Sequence, residues 1–401
     1  MRRLFPVVLA TCALALTSQA QQYQVGFASV QWSNFSGSGS PTLDADVHYP
    51  ALQAGGPVVA TAAGLPVVVF LHGYGLLGSD YAAIGDHLAS YGYVSVMLNT
   101  AQFSYLDEVA DARAMFDALT LANGTIGGPF EGRLDMSRIG LMGHSMGGAV
   151  VAYVVRDQLG SAANNPGYRC ALALAPVDPQ IAANGIEIRV PVGIVSGAGD
   201  LVTPPPQHAS LFYAQVAPDE GLKFHYEMDA ACGHMNLVGL DPNSPEVFVR
   251  MRRIAVGFFD QFLDVGVTGL ESILGTDGAS DPRLMQIHRS TVVPQMWIDG
   301  PGLQLGDTTG VRIATEPGFV GLAASDALGV PLPSPYGTIL VDPATSFLVG
   351  AGFVGADPFK LSLTVPNNMA LVGVGLALQC AGATINEPLL FGSAFELTVG
   401  L

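Results

Sequence analysis

Cysteine is scarce in this sequence. Only four of the 401 residues are cysteine. The first, Cys12, lies in an N-terminal apolar run, where Thr11 is too large for a good lipoprotein cleavage site, so lipidation is the weaker alternative for that segment. The other three, Cys170, Cys232 and Cys380, allow at most one intramolecular disulfide. None of them lies in a C-x-x-C pair or a Cys/His cluster, so we predict no metal site.

Basic residues are also scarce. The chain has 16 Lys and Arg against 33 Asp and Glu, for a formal net charge of −17. Loss of Arg2 and Arg3 with a cleaved N-terminus would take the charge from −17 to −19. This negative charge repels nucleic acid and anionic membranes. We therefore expect no nucleic-acid partner and a neutral or cationic substrate.

Long apolar runs are missing apart from one near the N-terminus. Residues 4–16 are shorter than the roughly 20 residues that span a bilayer. They follow Arg2 and Arg3 and precede a small-x-small cleavage site that ends at Ala20. Residues 1–20 are therefore predicted to be a secretory signal peptide, and a membrane anchor is the alternative. The mature protein is expected to be secreted or periplasmic, with no integral membrane segment after cleavage.

Residues 21–264 alternate between short β-branched runs and longer stretches with helical spacing. The run 66–71, Pro-Val-Val-Val-Phe-Leu, is typical of a parallel strand that is buried on both faces. Residues 107–121 place their apolar side chains on one helical face. The alternation predicts an α/β domain with a mostly parallel central sheet.

The composition changes after residue 264. Residues 265–291 are rich in glycine and are predicted to be a linker. Residues 292–401 contain only Arg312 and Lys360 as basic residues and have no histidine. Their alternating strands, separated by Pro, Asn and Gly turns, predict a small C-terminal all-β sandwich domain. Because that domain lacks a histidine general base, we expect the chemistry to lie upstream.

The strongest motif is Gly143-His144-Ser145-Met146-Gly147, a G-x-S-x-G sequence. It follows the predicted strand 138–142 and opens a predicted helix, which is the strand-turn-helix context that exposes a nucleophilic serine. The helix start also directs backbone N–H groups toward a developing oxyanion. Ser145 is therefore the candidate nucleophile.

A serine nucleophile needs a histidine base and a carboxylate that orients it. His234 follows the last predicted strand of the sheet and is the candidate base. Asp200 lies on the loop after an earlier strand. The three residues therefore occur in the order Ser, Asp, His that accompanies a G-x-S-x-G elbow in α/β sheet enzymes. Asp178, one strand earlier, is the competing acid.

The other expected contribution is an oxyanion hole. His72-Gly73-Tyr74-Gly75 ends an apolar strand at the position that supplies one backbone donor in such folds. We predict the backbone amides of Tyr74 and Met146 as the two donors. His72 itself is interpreted as a packing or turn-stabilising residue. No metal or organic cofactor is needed for this chemistry.

These residues together resemble the α/β-hydrolase superfamily, in particular its dienelactone-hydrolase-like, chlorophyllase-like and bacterial cutinase-like branches. Residues 143–148, Gly-His-Ser-Met-Gly-Gly, and residues 228–234, Met-Asp-Ala-Ala-Cys-Gly-His, are similar to signatures of cutinase-type polyester hydrolases. The resemblance covers about residues 23–264. One departure is the stretch 176–179, Pro-Val-Asp-Pro, where polyester hydrolases of that branch usually carry a tryptophan.

The resemblance and the motif order together imply a secreted serine esterase that acts on carboxylic esters, cutinase-like or lipase-like on bulky or polymeric substrates. Between Asp178 and Val190 there is room for only a short helix and turn, so we expect an open site without a lid. The alternatives are a peptidase or amidase with the same triad, or an inactive surface-binding protein. The C-terminal domain is expected to bind a polymer or a cell surface, or to stabilise the protein.

Overall fold

The computed structural model describes residues 23–33, 35, 38–157, 165–216, 222–263, 266, 268–291, 293–300, 302–334, 337–355, 357–384 and 389–401. The predicted signal peptide, residues 1–20, lies outside the described residues.

The first two thirds of the chain form a large sheet. The strands of this part of the chain are β1 (Gln24–Ser33), β2 (Thr42–Ala51), β3 (Leu65–Leu71), β4 (Val94–Leu98), β5 (Leu134–His144), β6 (Arg156–Asp157), β7 (Cys170–Leu174), β8 (Glu187–Ile188), β9 (Val192–Gly197), β10 (Lys223–Met228) and β11 (Leu284–Ser290). Within the described residues, β6 and β8 pair with each other and not with the large sheet. The other nine are ordered β1-β2-β4-β3-β5-β7-β9-β10-β11. The six central strands, in the order β4-β3-β5-β7-β9-β10, are parallel to one another. At the two edges β1, β2 and β11 pair antiparallel.

The helices of this region are α1 (Ala82–Ser90), α2 (Tyr105–Gly124), α3 (Met146–Val154), α4 (Ala209–Gln215), α5 (Pro245–Phe262) and α6 (Thr276–Ala279). Ser104 caps α2, because its side chain accepts the backbone N–H of Asp107 at 3.3 Å. Helix α5 begins with Pro245, which suits a first turn because its missing N–H would have no partner there.

Strand β3 illustrates how a strand in the middle of the sheet is buried. All seven of its residues are buried. Val67 and Val69 face a core cluster that includes residues of α2 and α3, whereas Val68 and Phe70 face a second cluster that includes residues of α1 and α5. Helices cover both faces of the sheet, so the side chains on both faces of β3 are apolar. The mixed α/β architecture with a mostly parallel sheet agrees with the sequence prediction.

The range 265–291, predicted to be a linker, has a different structure. Its last part, Leu284–Ser290, is β11 and pairs antiparallel with β10 along the edge of the sheet. Its middle part contains the 3₁₀ turn Gly269–Ser272, which packs against α5, and then α6. Of its glycines, Gly269 begins the 3₁₀ turn, Gly275 precedes α6 and Gly278 lies within α6. The linker prediction is therefore wrong for most of its length, because an edge strand carries a weaker apolar signal than a buried one.

The C-terminal region contains the strands β12 (Gln295–Asp299), β13 (Thr308–Ala314), β14 (Gly318–Ser325), β15 (Leu328–Ser334), β16 (Gly337–Val341), β17 (Phe347–Val354), β18 (Phe359–Thr364), β19 (Gly375–Thr384) and β20 (Leu390–Thr398). They form a three-stranded sheet β12-β13-β18, a four-stranded sheet β17-β14-β19-β20 and a β15-β16 hairpin. The inward residues of both larger sheets share one apolar cluster, which includes Ile298, Val311, Leu322 and Leu378.

The C-terminal sheets attach to the first region through Trp297 of β12. This side chain is fully buried and belongs to the cluster that contains the α5 residues. Its indole N–H donates to the Glu271 carboxylate at 2.9 Å. Arg312 of β13 lies 3.5 Å from the same carboxylate and 2.6 Å from Asp299. The two regions therefore share apolar core as well as polar contacts.

Candidate active site

Ser145 lies at a strained turn between β5 and α3. Its backbone has φ 56° and ψ −113°, a conformation that residues other than glycine rarely adopt. The turn is also crowded: a Cβ added to Gly147 would lie 2.4 Å from the Leu71 carbonyl oxygen, and one added to Gly143 would lie 2.3 Å from the Gly147 oxygen. Glycine is therefore required on both sides of Ser145, which explains the G-x-S-x-G spacing.

Asp200 and His234 are in direct contact. Nδ1 of His234 lies 2.7 Å from Oδ2 of Asp200. Asp200 is only 2% exposed. Burial by itself raises the pKa of Asp200, but hydrogen bonds from His234 and Thr203 outweigh it and lower the pKa to about 2. Asp200 is thus a carboxylate at neutral pH, and it fixes a proton on Nδ1 of His234.

Thr203 is a residue of this site that the sequence reasoning missed. The backbone N–H groups of Val202 and Thr203 each donate to Oδ1 of Asp200 at 2.8 Å. The Thr203 hydroxyl lies 2.8 Å from Oδ2 of Asp200 and 3.2 Å from Nδ1 of His234. An aspartate that accepts amides two and three residues ahead forms an Asx-turn, so the sequence Asp200-Leu-Val-Thr203 was the available signal.

Asp178, the competing acid, has other partners. Its carboxylate accepts the N–H of Gln180 at 3.0 Å and the side-chain amide of Gln215 at 3.2 Å. Its backbone N–H donates to His208 at 3.1 Å. The structure therefore places Asp178 beside α4 and places Asp200 beside His234.

The two residues predicted to line the oxyanion hole belong to two segments that meet at Ser145. Met146 is the first residue of α3, so its N–H has no partner four residues earlier within the helix. Tyr74 belongs to the loop after β3, and this loop reaches Ser145: a Cβ on Gly73 would lie 3.4 Å from Cβ of Ser145. Gly75 anchors the loop by donating to the Gln102 carbonyl at 2.9 Å.

His72, interpreted as a turn-stabilising residue, is fully buried. Its Nε2 lies 2.7 Å from the carbonyl oxygen of Thr100, which can only accept a hydrogen bond. This contact joins the loop after β3 to the loop after β4. His72 therefore stabilises the turn after β3, consistent with that interpretation.

A buried chain of hydrogen bonds connects the loop after β3, which carries Tyr74, to the loop that carries His234. The Gly73 N–H donates to the Tyr81 hydroxyl at 3.0 Å, and this hydroxyl donates to Nδ1 of His144 at 2.9 Å. Nε2 of His144 in turn donates to the His234 carbonyl at 3.2 Å. Burial, followed by the neighbouring His234, lowers the pKa of His144 to about 3. His144 is therefore neutral, and its two nitrogens serve one as acceptor and one as donor.

Exposed apolar side chains lie on the loops that carry these residues. Tyr74, on the loop after β3, is 66% exposed, and its ring meets that of Phe103 at 5.4 Å between centroids. Leu201 and Val202, directly after Asp200, are 90% and 64% exposed. Val177 is also exposed, and its N–H donates to the Ser145 carbonyl at 3.1 Å. An apolar surface of this kind suits an apolar substrate.

Two further properties concern only the part of the chain that the structure describes. There, no group of three or more His, Cys, Asp or Glu side chains has an arrangement that could hold a metal ion. In the same residues, no helix has the length and apolarity needed to cross a membrane. Cys170, Cys232 and Cys380 are all buried and form no disulfide with one another.

A serine at a strand-to-helix elbow and a histidine-aspartate pair, all at the carboxyl ends of parallel strands, define a site of the serine hydrolase class. Comparison with known proteins agrees: residues 12–267 match the family model described as PET hydrolase-like. The chain belongs to the PET hydrolase-like family. The predicted resemblance and the predicted enzyme class, a carboxylic ester hydrolase, are confirmed at this level.

Several curated proteins are similar to this chain. A bis(hydroxyethyl) terephthalate hydrolase of Streptomyces coelicolor is 26% identical over 243 residues, 60% of this chain and 68% of that protein. Cutinase 2 of Thermobifida cellulosilytica is 28% identical over 193 residues, 48% of this chain and 66% of the cutinase. Cutinase cut1 of Thermobifida fusca is also 28% identical over 193 residues, but the match covers 54% of its length. The chain thus spans between about half and two thirds of these relatives.

Proposed function

We propose that this protein is an exported serine esterase with an α/β-hydrolase domain, which cleaves carboxylic esters through an acyl-enzyme, and that Ser145, His234 and Asp200 form its triad. The observation that carries the proposal is the 2.7 Å contact between Asp200 and His234 on the loops beside the Ser145 elbow. An ordinary packed histidine needs no buried carboxylate partner. The residue before Ser145, His144, also contacts the His234 carbonyl at 3.2 Å, which brings the elbow and the His234 loop together.

The reaction runs in two steps. Asp200 holds a proton on Nδ1 of His234, which leaves Nε2 able to accept the Ser145 proton as the hydroxyl attacks the ester carbonyl. The backbone amides of Tyr74 and Met146 stabilise the tetrahedral oxyanion. His234 then protonates the leaving alcohol, and the acyl group stays on Ser145. Water, deprotonated by His234, releases the acid and restores the serine.

The substrate class follows from the surroundings of the site. Tyr74, Phe103, Leu201 and Val202 present exposed apolar surface, which favours an apolar acyl or alcohol group. The segment between Asp178 and Val190, where a lid would be inserted, contains only a single turn and the two-residue strand β8. An open, apolar site is suited to bulky or polymeric uncharged esters. The terephthalate ester hydrolase and the cutinases among the similar proteins support the same substrate class.

The remaining parts of the proposal concern export and the C-terminal domain. The signal peptide predicted over residues 1–20 would direct the protein out of the cytoplasm as a secreted or periplasmic enzyme. Residues 292–401 are proposed to form a β-sandwich, supported by the apolar cluster that the two larger C-terminal sheets share. Its proposed role is attachment to polymer and stabilisation of the enzyme.

The test uses p-nitrophenyl butyrate and purified full-length variants. Ser145→Ala should reduce hydrolysis to background while the circular dichroism spectrum stays that of the wild type. Asp200→Asn should lower kcat by about 10⁴-fold, since it allows the wrong histidine tautomer. Asp178→Asn is the matched control and should retain most of the activity.

Two results would contradict the proposal. Retained activity in Ser145→Ala would exclude that serine as the nucleophile, and a larger loss in Asp178→Asn than in Asp200→Asn would reassign the acid. The corresponding p-nitroanilide amide separates ester from amide hydrolysis. Faster cleavage of the anilide than of the ester would make the protein an amidase.

A further inference from the structure

The outer face of the four-stranded C-terminal sheet carries an apolar groove. The groove has a volume of about 310 Å³ and lies between the sheet and β16, which contributes Val341. Small residues, among them Gly321, Ala351 and Ala381, form its floor. Larger apolar side chains line it as well: Phe319, Leu348, Leu389 and Phe391. The result is a slot with a flat floor and apolar walls.

The outward direction of these residues follows from the strand pattern. Along β14, Val320, Leu322 and Ala324 are fully buried in the shared core, and the alternate residues Phe319 and Gly321 lie on the opposite face. Strand register places Phe353 beside Phe319, and their rings meet edge-to-face at 5.4 Å. Phe319 is 48% exposed and Phe353 is 80% exposed, so this pair extends the apolar surface beyond the groove.

The polar groups of the groove are already used. Among the described residues that line it, Gln379 is the one polar side chain. Its amide oxygen accepts the N–H groups of Leu340 and Val341 at 2.8 and 3.4 Å. Its amide nitrogen donates to the carbonyls of Thr338 and Gly392 at 2.8 and 3.3 Å. These four bonds use the full capacity of the side chain, so nothing remains to hydrogen-bond a ligand.

Charge is almost absent from this face. Across the described strands β14, β17, β19 and β20, Glu396 is the single residue of the types Asp, Glu, Lys and Arg, and it accepts the Leu328 N–H at 3.1 Å. An occupant that carries charges or many hydroxyl groups would lose hydration here without gaining a partner. The occupant that fits is an uncharged chain with hydrocarbon segments.

We infer that this groove is a second binding site, separate from Ser145, and that it holds the hydrocarbon segments of an uncharged polyester. The inference rests on the proposed function, since an esterase for apolar polymers brings this ligand to the protein. Bound there, the polymer is retained near the enzyme between cleavage events. The groove requires no chemistry of its own, only removal of apolar surface from water.

The experiment measures depletion of the full-length protein from solution by polycaprolactone particles, an uncharged aliphatic polyester. All proteins carry Ser145→Ala so that the particles remain intact. Leu348→Glu places a carboxylate in the groove, and Met369→Glu is the matched control outside it; the two positions are 69% and 67% exposed. Leu348→Glu should weaken binding by about ten-fold or more, whereas Met369→Glu should bind within about two-fold of the parent.

A second variant separates a shaped groove from a merely apolar surface. A Cβ on Gly321 would have Leu348 Cδ1 as its nearest neighbour at 3.5 Å, so a larger side chain fits there and fills the slot. Gly321→Leu should weaken binding to the particles although it makes the face more apolar. Both groove variants should have the same molecular mass as the parent by light scattering.

Undiminished binding of Leu348→Glu overturns the inference, as does an equal loss in Met369→Glu. A lower mass in Leu348→Glu than in the parent also overturns it, since the face would then join two copies of this chain. Stronger depletion by cellulose than by polycaprolactone would assign a polysaccharide instead. Hydrolysis of p-nitrophenyl butyrate by chains that retain Ser145 is measured separately, so failure of the proposed esterase and failure of the groove give different results.

Discussion

The attachment of the C-terminal sheets through Trp297 makes a quantitative prediction. In Trp297→Ala, a fully buried indole is replaced by a methyl group, and Glu271 loses the N–H that donates to it at 2.9 Å. Large-to-small substitutions of buried aromatic residues cost about 3–5 kcal/mol. Burial already raises the pKa of Glu271, so loss of a donor disfavours its charged form further. We expect a loss of about 4 kcal/mol in the free energy of unfolding.

The assay is urea denaturation followed by far-UV circular dichroism, which does not depend on the tryptophan that is removed. With a urea dependence of about 3 kcal/mol per M, a loss of 4 kcal/mol lowers the midpoint by about 1.3 M. Trp297→Phe keeps a ring and loses only the N–H and part of the area, so its midpoint should fall by about 0.5 M. If the single transition of the wild type divides into two in Trp297→Ala, the two regions unfold separately without Trp297.

A small effect would refute this reasoning. If Trp297→Ala shifts the midpoint by less than about 0.2 M, the indole contributes little to the shared core and the regions are independent. If Trp297→Phe is as damaging as Trp297→Ala, the hydrogen bond to Glu271 dominates and the apolar contribution has been overstated.

Four further outcomes follow from the site. Thr203→Val should lower kcat for p-nitrophenyl butyrate about ten-fold with little change in KM, and an unchanged kcat would show that the hydroxyl does not position Asp200. Tyr81→Phe leaves the Gly73 N–H without its acceptor and should lower the free energy of unfolding by about 1–3 kcal/mol, checked by urea midpoint against wild type. Gly147→Ala should prevent accumulation of soluble protein, since its Cβ would lie 2.4 Å from a carbonyl oxygen; normal yield and activity would argue against the crowding. The pKa of Asp200 is lowered to about 2, so its contribution to stability is present above the unfolded pKa and is lost as pH falls through the folded one. The urea midpoints of wild type and Asp200→Asn should therefore converge between pH 5 and pH 2, and a constant difference would mean that Asp200 is not stabilised as a carboxylate.

The sequence allowed prediction of features that depend on short stretches of chain. The buried run in β3 and the glycines around Ser145 each specify a local structure, and the structure has both. The positions of Asp200 and His234 could be inferred because they follow apolar strands of one parallel sheet, whose carboxyl ends meet at one edge.

Features that depend on distant partners were missed. Strand β11 pairs at an edge, so its residues need not be continuously apolar, and the glycine-rich stretch before it indicated a linker. The burial of Trp297 requires a surface supplied by α5, which lies far away in sequence. In the sequence, His144 is only the variable position of the G-x-S-x-G motif. Its contacts with Tyr81 and His234 could not be predicted, because these two residues follow other strands.

The pairing of β11 with β10 has a consequence for how an extended substrate could be handled. A module on a flexible tether samples a range of distances, and its benefit depends on tether length. Here β11 belongs to the central sheet, and Trp297, a few residues later, is anchored in the core beside α5. The fold therefore sets the distance between Ser145 and the groove on the four-stranded C-terminal sheet. This distance is fixed and does not vary as it would across a flexible tether. Under the proposed function and the inferred groove, a polyester chain long enough to match this spacing would engage both places at once, whereas a short ester would engage only the site at Ser145.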